Sequence, residues 1–121
     1  MTPQTIGIIG AGLMGHGIAY LLAAAGHTAR IYDPSAEWRA SLPERLKAAL
    51  DLLGGDPALL GRISSHDTMA PAMKDVSFVF EAAPEKLPLK QQIFAELAAV
   101  AFQEGPAHTL LILNAGFALL V

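Results

Sequence analysis

Five short apolar runs alternate with longer amphipathic segments along this chain. The first run, "TIGII" (Thr5–Ile9), is rich in β-branched residues and stops at Gly10. Its lack of polar alternation predicts a strand buried on both faces of a parallel sheet. The next segment places Leu13, Met14, Ile18, Leu21, Leu22 and Ala25 on one helical face. Gly26 follows as its C-cap. "TARIYD" (Thr28–Asp33) predicts a second strand. Pro34 and Ser35 then open a long amphipathic helix over 36–53, with Pro43 inside it as a candidate kink or break. Gly54–Pro57 is a loop signal. A third strand is predicted over 62–64, a short helix over 68–75 and a strong fourth strand over 76–82. A helix over 88–102, with Pro88 tolerated near its start, leads to a fifth strand over 109–113. The fold class is α/β: a doubly wound parallel sheet of Rossmann type with right-handed crossovers, truncated after about the fifth strand.

Composition narrows the picture. A length of 121 residues suits one domain over 1–121, with enough chain to bury a core. Hydrophobic residues at 53% against 16% charged are a greasy mixture for a free-standing domain. The net charge of -3, without a Lys/Arg cluster, argues against nucleic acid as a partner. No cysteine is present, which excludes disulfides, thiolate metal sites and a cysteine nucleophile, and fits a reducing compartment. The first apolar stretch is long enough to resemble a membrane span. Gly7, Gly10, Gly12, Gly15, Gly17 and His16 break it, and no basic region precedes it. The expectation is a cytoplasmic protein with no membrane partner. No histidine pair has metal-ligand spacing.

Those glycines are not scattered. Gly10-Ala11-Gly12-Leu13-Met14-Gly15 matches G-x-G-x-x-G between a predicted strand and a predicted helix. In that setting Gly10 permits a tight turn, Gly12 admits a pyrophosphate close to the backbone, and Gly15 lets the helix pack against the sheet. The helix start adds free N–H groups and the positive end of its dipole. The second strand ends at Asp33, where an acid accepts hydrogen bonds from the adenosine ribose. A carboxylate there repels a 2′-phosphate, so the expected cofactor is NAD rather than NADP. The bland alternative is a glycine turn that binds nothing.

"GIIGAGLMGHGIAYLLAAAGHTARIYDPS" resembles the N-terminal segment of L-3-hydroxyacyl-CoA dehydrogenases and of their relatives acting on carnitine or L-gulonate. Gly17-Ile18-Ala19 sets it apart from the branch that includes 6-phosphogluconate dehydrogenases. "FVFEAAPEKLPLKQQIFAEL" (Phe78–Leu97) resembles the same family through Glu81-Ala82, Glu85, Lys90, Phe94 and Leu97. The resemblance implies that Glu85 and Lys90 lie beside the nicotinamide half of the cofactor. On position alone, Glu85 would cap the helix and Lys90 would be a solvated charge. The family's helical excursion after the second strand implies contact with an acyl-CoA-type substrate. Arg39, Arg45 and Lys47 are candidates for its phosphates, with a plain wet helix face as the alternative.

The resemblance thins near the end. After the fifth strand the family has an S-N-T-S-like motif, of which "LLILNAGFALLV" matches only Asn114. Ala115, Gly116 and Phe117 lack the hydroxyls. The family's catalytic His–Glu pair and helical dimerisation domain fall beyond Val121. His16, His27, His66 and His108 have no acid at dyad spacing to replace the pair. The resemblance thus implies the NAD-binding part of an oxidoreductase: Gly10, Ala11, Gly12, Leu13, Met14, Gly15, Asp33, Glu85, Lys90 and Asn114 hold NAD, and the chain alone has no catalytic residue. A non-catalytic nucleotide-binding module is the rival reading, as is a dehydrogenase of another hydroxy substrate. The apolar C-terminal segment predicts self-association.

Overall fold

A computed structural model describes residues 2–76, 78–103 and 111–114, the last four and 101–103 by their backbone course alone. Strands β1 (Thr5–Ile9), β2 (Thr28–Tyr32), β3 (Ile63–His66), β4 (Phe78–Glu81) and β5 (Leu111–Asn114) form one sheet in the order β3-β2-β1-β4-β5. Every pairing is parallel, with Ile8 opposite Ile31 on one side and Phe80 on the other. Helices α1 (Leu13–Ala24), α2 (Ala36–Leu53), α3 (Met69–Met73) and α4 (Leu87–Gln103) make the crossovers. This is the doubly wound parallel sheet that the apolar pattern predicts.

Successive residues of a strand point to opposite faces. Ile8 accordingly packs with α1 and α2 through Ala19, Ala23, Leu42, Leu46 and Leu50. Ile9 packs on the other face with Met69, Met73, Val79, Ile93 and Leu97. Fully burying one isoleucine such as Ile8 or Ile31 contributes about 1.5–3 kcal/mol, so both faces of β1 must be apolar and its sequence has no alternation.

α1 ends in a Schellman turn. His27 N–H donates to Leu22 O and Gly26 N–H to Ala23 O, both at 3.0 Å. Ala25 is the cap, and Gly26, at φ 96°, lies one position beyond it. α2 starts where predicted, with Ser35 Oγ accepting from Trp38 N–H, and Pro43 does not divide it. Its last turn closes on Gly54, at φ 70°.

The region after α2 differs from the sequence reading. Residues 57–62 form a 3-10 helix, because Pro57 opens it and the Asp56 carboxylate accepts from Ala58 N–H. Arg62 belongs to that helix and donates to Ala23 O at 2.9 Å. β3 therefore begins at Ile63 and runs to His66, set by its register on Ala29–Tyr32. β2 ends one residue early, at Tyr32, and β5 (Leu111–Asn114) runs one residue past its predicted end; positions 109 and 110 lie outside the described residues. Among the described residues no helix is long and apolar enough to cross a membrane. Residues 115–121 and His108, on which the self-association and the missing hydroxyls turn, lie outside the described residues.

Candidate functional site

The sheet order reverses at β1, whose neighbours β2 and β4 feed helices on opposite faces. Ligands of such sheets bind outside the carboxyl ends of the strands at this reversal. Here the crevice lies between the 10–12 turn after β1 and the 82–86 turn after β4.

The glycines of the first turn have separate causes. Gly10 sits at φ 105°, and a Cβ there would come within 2.8 Å of Ala82 O. Its N–H donates to Tyr32 O and Ala82 N–H donates to Ile9 O, both at 2.8 Å, so this turn is clamped between β2 and β4. A Cβ on Gly15 would land on the Gly10 carbonyl, 2.8 Å from its carbon and closer still to its oxygen. Gly12 is the contrast. Its φ of -72° suits any residue, and a Cβ there would meet nothing within 4 Å. Gly12 caps α1 without a side-chain acceptor, and no acid lies in the first turn. The first N–H groups of α1 and the positive end of its dipole are left for a ligand. Leu13 and Met14 are exposed on that turn, and Met14 lines the crevice.

Asp33 is buried just past β2 and ties two turns together. Its Oδ2 accepts from Ala11 N–H and its Oδ1 from Ser35 N–H, both at 2.8 Å. Each oxygen keeps a further lone pair, and Asp33 lines both openings of the crevice. Arg45 reaches the same turn from α2. It donates to Ala11 O at 2.6 Å, to Trp38 O at 3.0 Å and through Nε to Ser41 Oγ at 3.1 Å. Its guanidinium lies over the Trp38 ring, 5.0 Å from the centroid. Burial lowers the Arg45 pKa and the nearby Asp33 charge opposes that shift. Arg45 is thus engaged within the chain, on the glycine turn, where the sequence offered it to CoA phosphates.

The opposite wall is held by a buried charge cluster. Lys90 pairs with Glu81, which is wholly buried at the end of β4, and with Glu85 at 2.9 Å. The ammonium also donates to Ala83 O at 3.2 Å, and Glu81 Oε1 accepts from Ala83 N–H at 2.8 Å. Lys90 is therefore neither solvated nor remote from the crevice. Glu85 lines the opening over Gly12, and a second cavity of about 350 Å³ lies between Trp38 and Pro34 on one side and Pro84 and Gln92 on the other. Tyr32 and Glu96 also line it. Burial raises the Tyr32 pKa, helped by the charges of Glu96 and Asp33, so its phenol stays protonated.

Asn114 ends β5 opposite Glu81, at the same carboxyl edge of the sheet; its side chain lies outside the described residues. Each described histidine is engaged in a hydrogen bond. His27 Nδ1 accepts from Gln4 N–H, His16 Nδ1 bonds Gly12 O, and His66 bonds Ser64. No cluster suited to a metal ion occurs among the described residues. Sequence reading matched Glu81 to the family without giving it a role, and offered Arg45 only to CoA phosphates. Glu81 shares the inward face of β4 with Val79, so period-two alternation could have flagged a buried acid. Arg45 borders the buried stripe of Leu42 and Leu46, which could have flagged an inward arginine.

The chain's sequence and fold match known proteins. Residues 5–116 match the family model described as 3-hydroxyacyl-CoA dehydrogenase, NAD binding domain. The chain is 33% identical over 122 residues to 3-hydroxyadipyl-CoA dehydrogenase of Escherichia coli (strain K12), covering 92% of this chain and 24% of that protein. It is 35% identical over 100 residues to L-carnitine dehydrogenase of Streptomyces coelicolor, covering 79% of this chain and 31% of the relative. The crystal structure of (S)-3-hydroxybutyryl-CoA dehydrogenase from Ralstonia eutropha superposes with a TM-score of 0.73 at 30% identity, covering 82% of this chain and 38% of that one. The chain spans about a quarter to a third of the length of these curated relatives.

Proposed function

This chain belongs to the 3-hydroxyacyl-CoA dehydrogenase family as its NAD-binding domain, and from that premise we propose how its crevice holds the dinucleotide and what the complete protein does with it. The contrast between Gly12 and its neighbours carries the reading. Gly10 and Gly15 lack side chains because protein backbone fills the space, whereas Gly12 faces open space over the crevice. A backbone left bare toward a cavity, beside uncapped helix N–H groups, suits a close-approaching anion.

In this reading the turn from Gly10 to Gly15, with Ala11, Leu13 and Met14, holds the pyrophosphate. Asp33 accepts the adenosine ribose hydroxyls with its remaining lone pairs and repels a 2′-phosphate. Trp38, Pro34, Pro84 and Gln92 enclose the adenine. Glu85, Lys90 and Asn114 face the nicotinamide half from the ends of β4 and β5. When bound, NAD supplies the hydride acceptor. The complete protein oxidises a 3-hydroxy substrate, an acyl-CoA thioester, to the 3-keto product. The 121-residue chain binds without turnover, since its described histidines hydrogen-bond Gln4, Gly12 and Ser64 and not an acid that would make one of them a general base.

Calorimetry with NADH tests the binding. The chain should titrate saturably, with NADPH at least tenfold weaker. Asp33→Ala should abolish that preference and weaken NADH. Absence of NADH binding, or equal affinity for NADH and NADPH, overturns the reading. The likeness to L-carnitine dehydrogenase supports a second substrate reading. Assaying the complete protein on acetoacetyl-CoA with NADH, and on L-carnitine with NAD, decides between them.

A further inference from the structure

We propose that Arg45 is a positioning residue for the pyrophosphate: it orients the peptide groups of the glycine turn so that N–H groups, and not carbonyl oxygens, face the crevice. This rests on the NAD reading above and adds a residue from α2 to the cofactor site.

A trans peptide is planar, with its C=O and N–H pointing in opposite directions. The guanidinium takes Ala11 O at 2.6 Å and reaches Gly12 O at the outer limit of 3.5 Å. Turning the Ala11 carbonyl toward α2 sends the N–H of Gly12 the other way, and the Gly12 carbonyl does the same for Leu13. Gly12 O is held further by His16 N–H at 3.0 Å and by the His16 ring, whereas Arg45 is the described side chain that holds Ala11 O. Asp33 takes the N–H of Ala11, so an acid and a base fix the two sides of one residue in the turn. Carbonyl oxygens turned into the crevice would repel a phosphate; N–H groups attract it.

The arginine is itself pre-set. Trp38 lies under it, Ser41 Oγ accepts from its Nε, and Trp38 O takes one of its N–H groups. All three come from the first turns of α2, so the helix presents a rigid fork. A lysine has the charge without the fork and stacks less well. The hydrogen-bond role and a simple charge role therefore give different results.

The test compares Arg45→Lys and Arg45→Met with the parent in the full 121-residue chain. The readouts are ¹⁵N amide shifts of Gly12 and Leu13 without ligand, and affinities for NADH and ADP. Both variants should move both amide signals. Both should weaken NADH and ADP alike, by about tenfold, as expected for misdirecting one charge-assisted hydrogen bond. Unmoved Gly12 and Leu13 signals overturn the proposal, whatever the melting temperature does. So does parental affinity in Arg45→Lys, which would make Arg45 a simple charge. If the parent itself fails to bind NADH, the NAD reading falls, while the amide signals still decide the role of Arg45.

Discussion

Replacing Gly12, Gly15 and Gly17 by alanine, one at a time, should give three different outcomes, because the three Cβ directions meet three different surroundings. At Gly15 the new carbon collides with the Gly10 carbonyl, which is backbone and cannot rotate aside. Relieving that overlap requires α1 or the turn to shift on the order of 1 Å, and such overpacking costs about 3 kcal/mol or more. The helix propensity of alanine offsets about 1 kcal/mol of it. A net loss of about 2 kcal/mol lowers Tm by roughly 8 °C, at about 4 °C per kcal/mol for a chain of this size. At Gly17, inside the same helix, nothing lies within 4 Å of the new carbon. Only the propensity gain remains, about 0.5–1 kcal/mol, so Tm rises by a few degrees. At Gly12 the new carbon also meets no protein atom, and the capping change costs at most about 1 kcal/mol. Its effect appears in binding: a methyl between the turn and a phosphate should weaken NADH at least about tenfold. Thermal melts and NADH calorimetry on the three variants provide the assay. A Gly15→Ala chain as stable as the parent would refute the packing argument. Parental NADH affinity in Gly12→Ala would refute the ligand argument.

Further outcomes follow from the two walls of the crevice. Lys90→Met strands the wholly buried Glu81 carboxylate, so urea melts should show a loss of about 3–5 kcal/mol. Adding Glu81→Gln should recover much of it, and an additive double variant would contradict the pairing. Tyr32 titrates above the ordinary tyrosine range because burial and the charges of Glu96 and Asp33 disfavour its phenolate. Its contribution to stability is complete below the unfolded tyrosine pKa and is lost as pH rises through the folded value. Absorbance titration of the parent against Tyr32→Phe should show a phenol ionising late, and Tyr32→Phe should flatten the alkaline fall in stability. Gly26→Ala places a side chain at φ 96° and should cost about 1–2 kcal/mol although no atom obstructs it; an unchanged Tm would contradict the Schellman reading.

Much of this was legible in the sequence because the relevant signals are local. The run Thr5–Ile9, the glycine spacing and the acid at Asp33 each follow from a short window whose physics does not depend on distant residues. The strand order, by contrast, needed the crossovers that these windows imply in series. What was obscure depends on long-range partners. The 57–62 segment was hidden because Asp56 caps it locally while Arg62 is fixed by Ala23, 39 residues earlier. Lys90 reads as a surface charge on helix periodicity, and only the buried Glu81 nine residues before it explains why it turns inward. Arg45 looks like the wet face of α2 until Ala11, 34 residues away, supplies the carbonyl that holds it. Alternation along β4 and the stripe on α2 can flag such charges as inward, but what they fasten is known only once their partners are.

The most direct test of the central claim is a crystal structure of the chain grown with NADH. The account predicts the pyrophosphate within hydrogen-bond distance of the Gly12 and Leu13 N–H groups, the adenosine ribose on Asp33 and the adenine between Trp38 and Pro84. A dinucleotide bound away from the Gly10–Gly15 turn, or an empty crevice at saturating NADH, would contradict it.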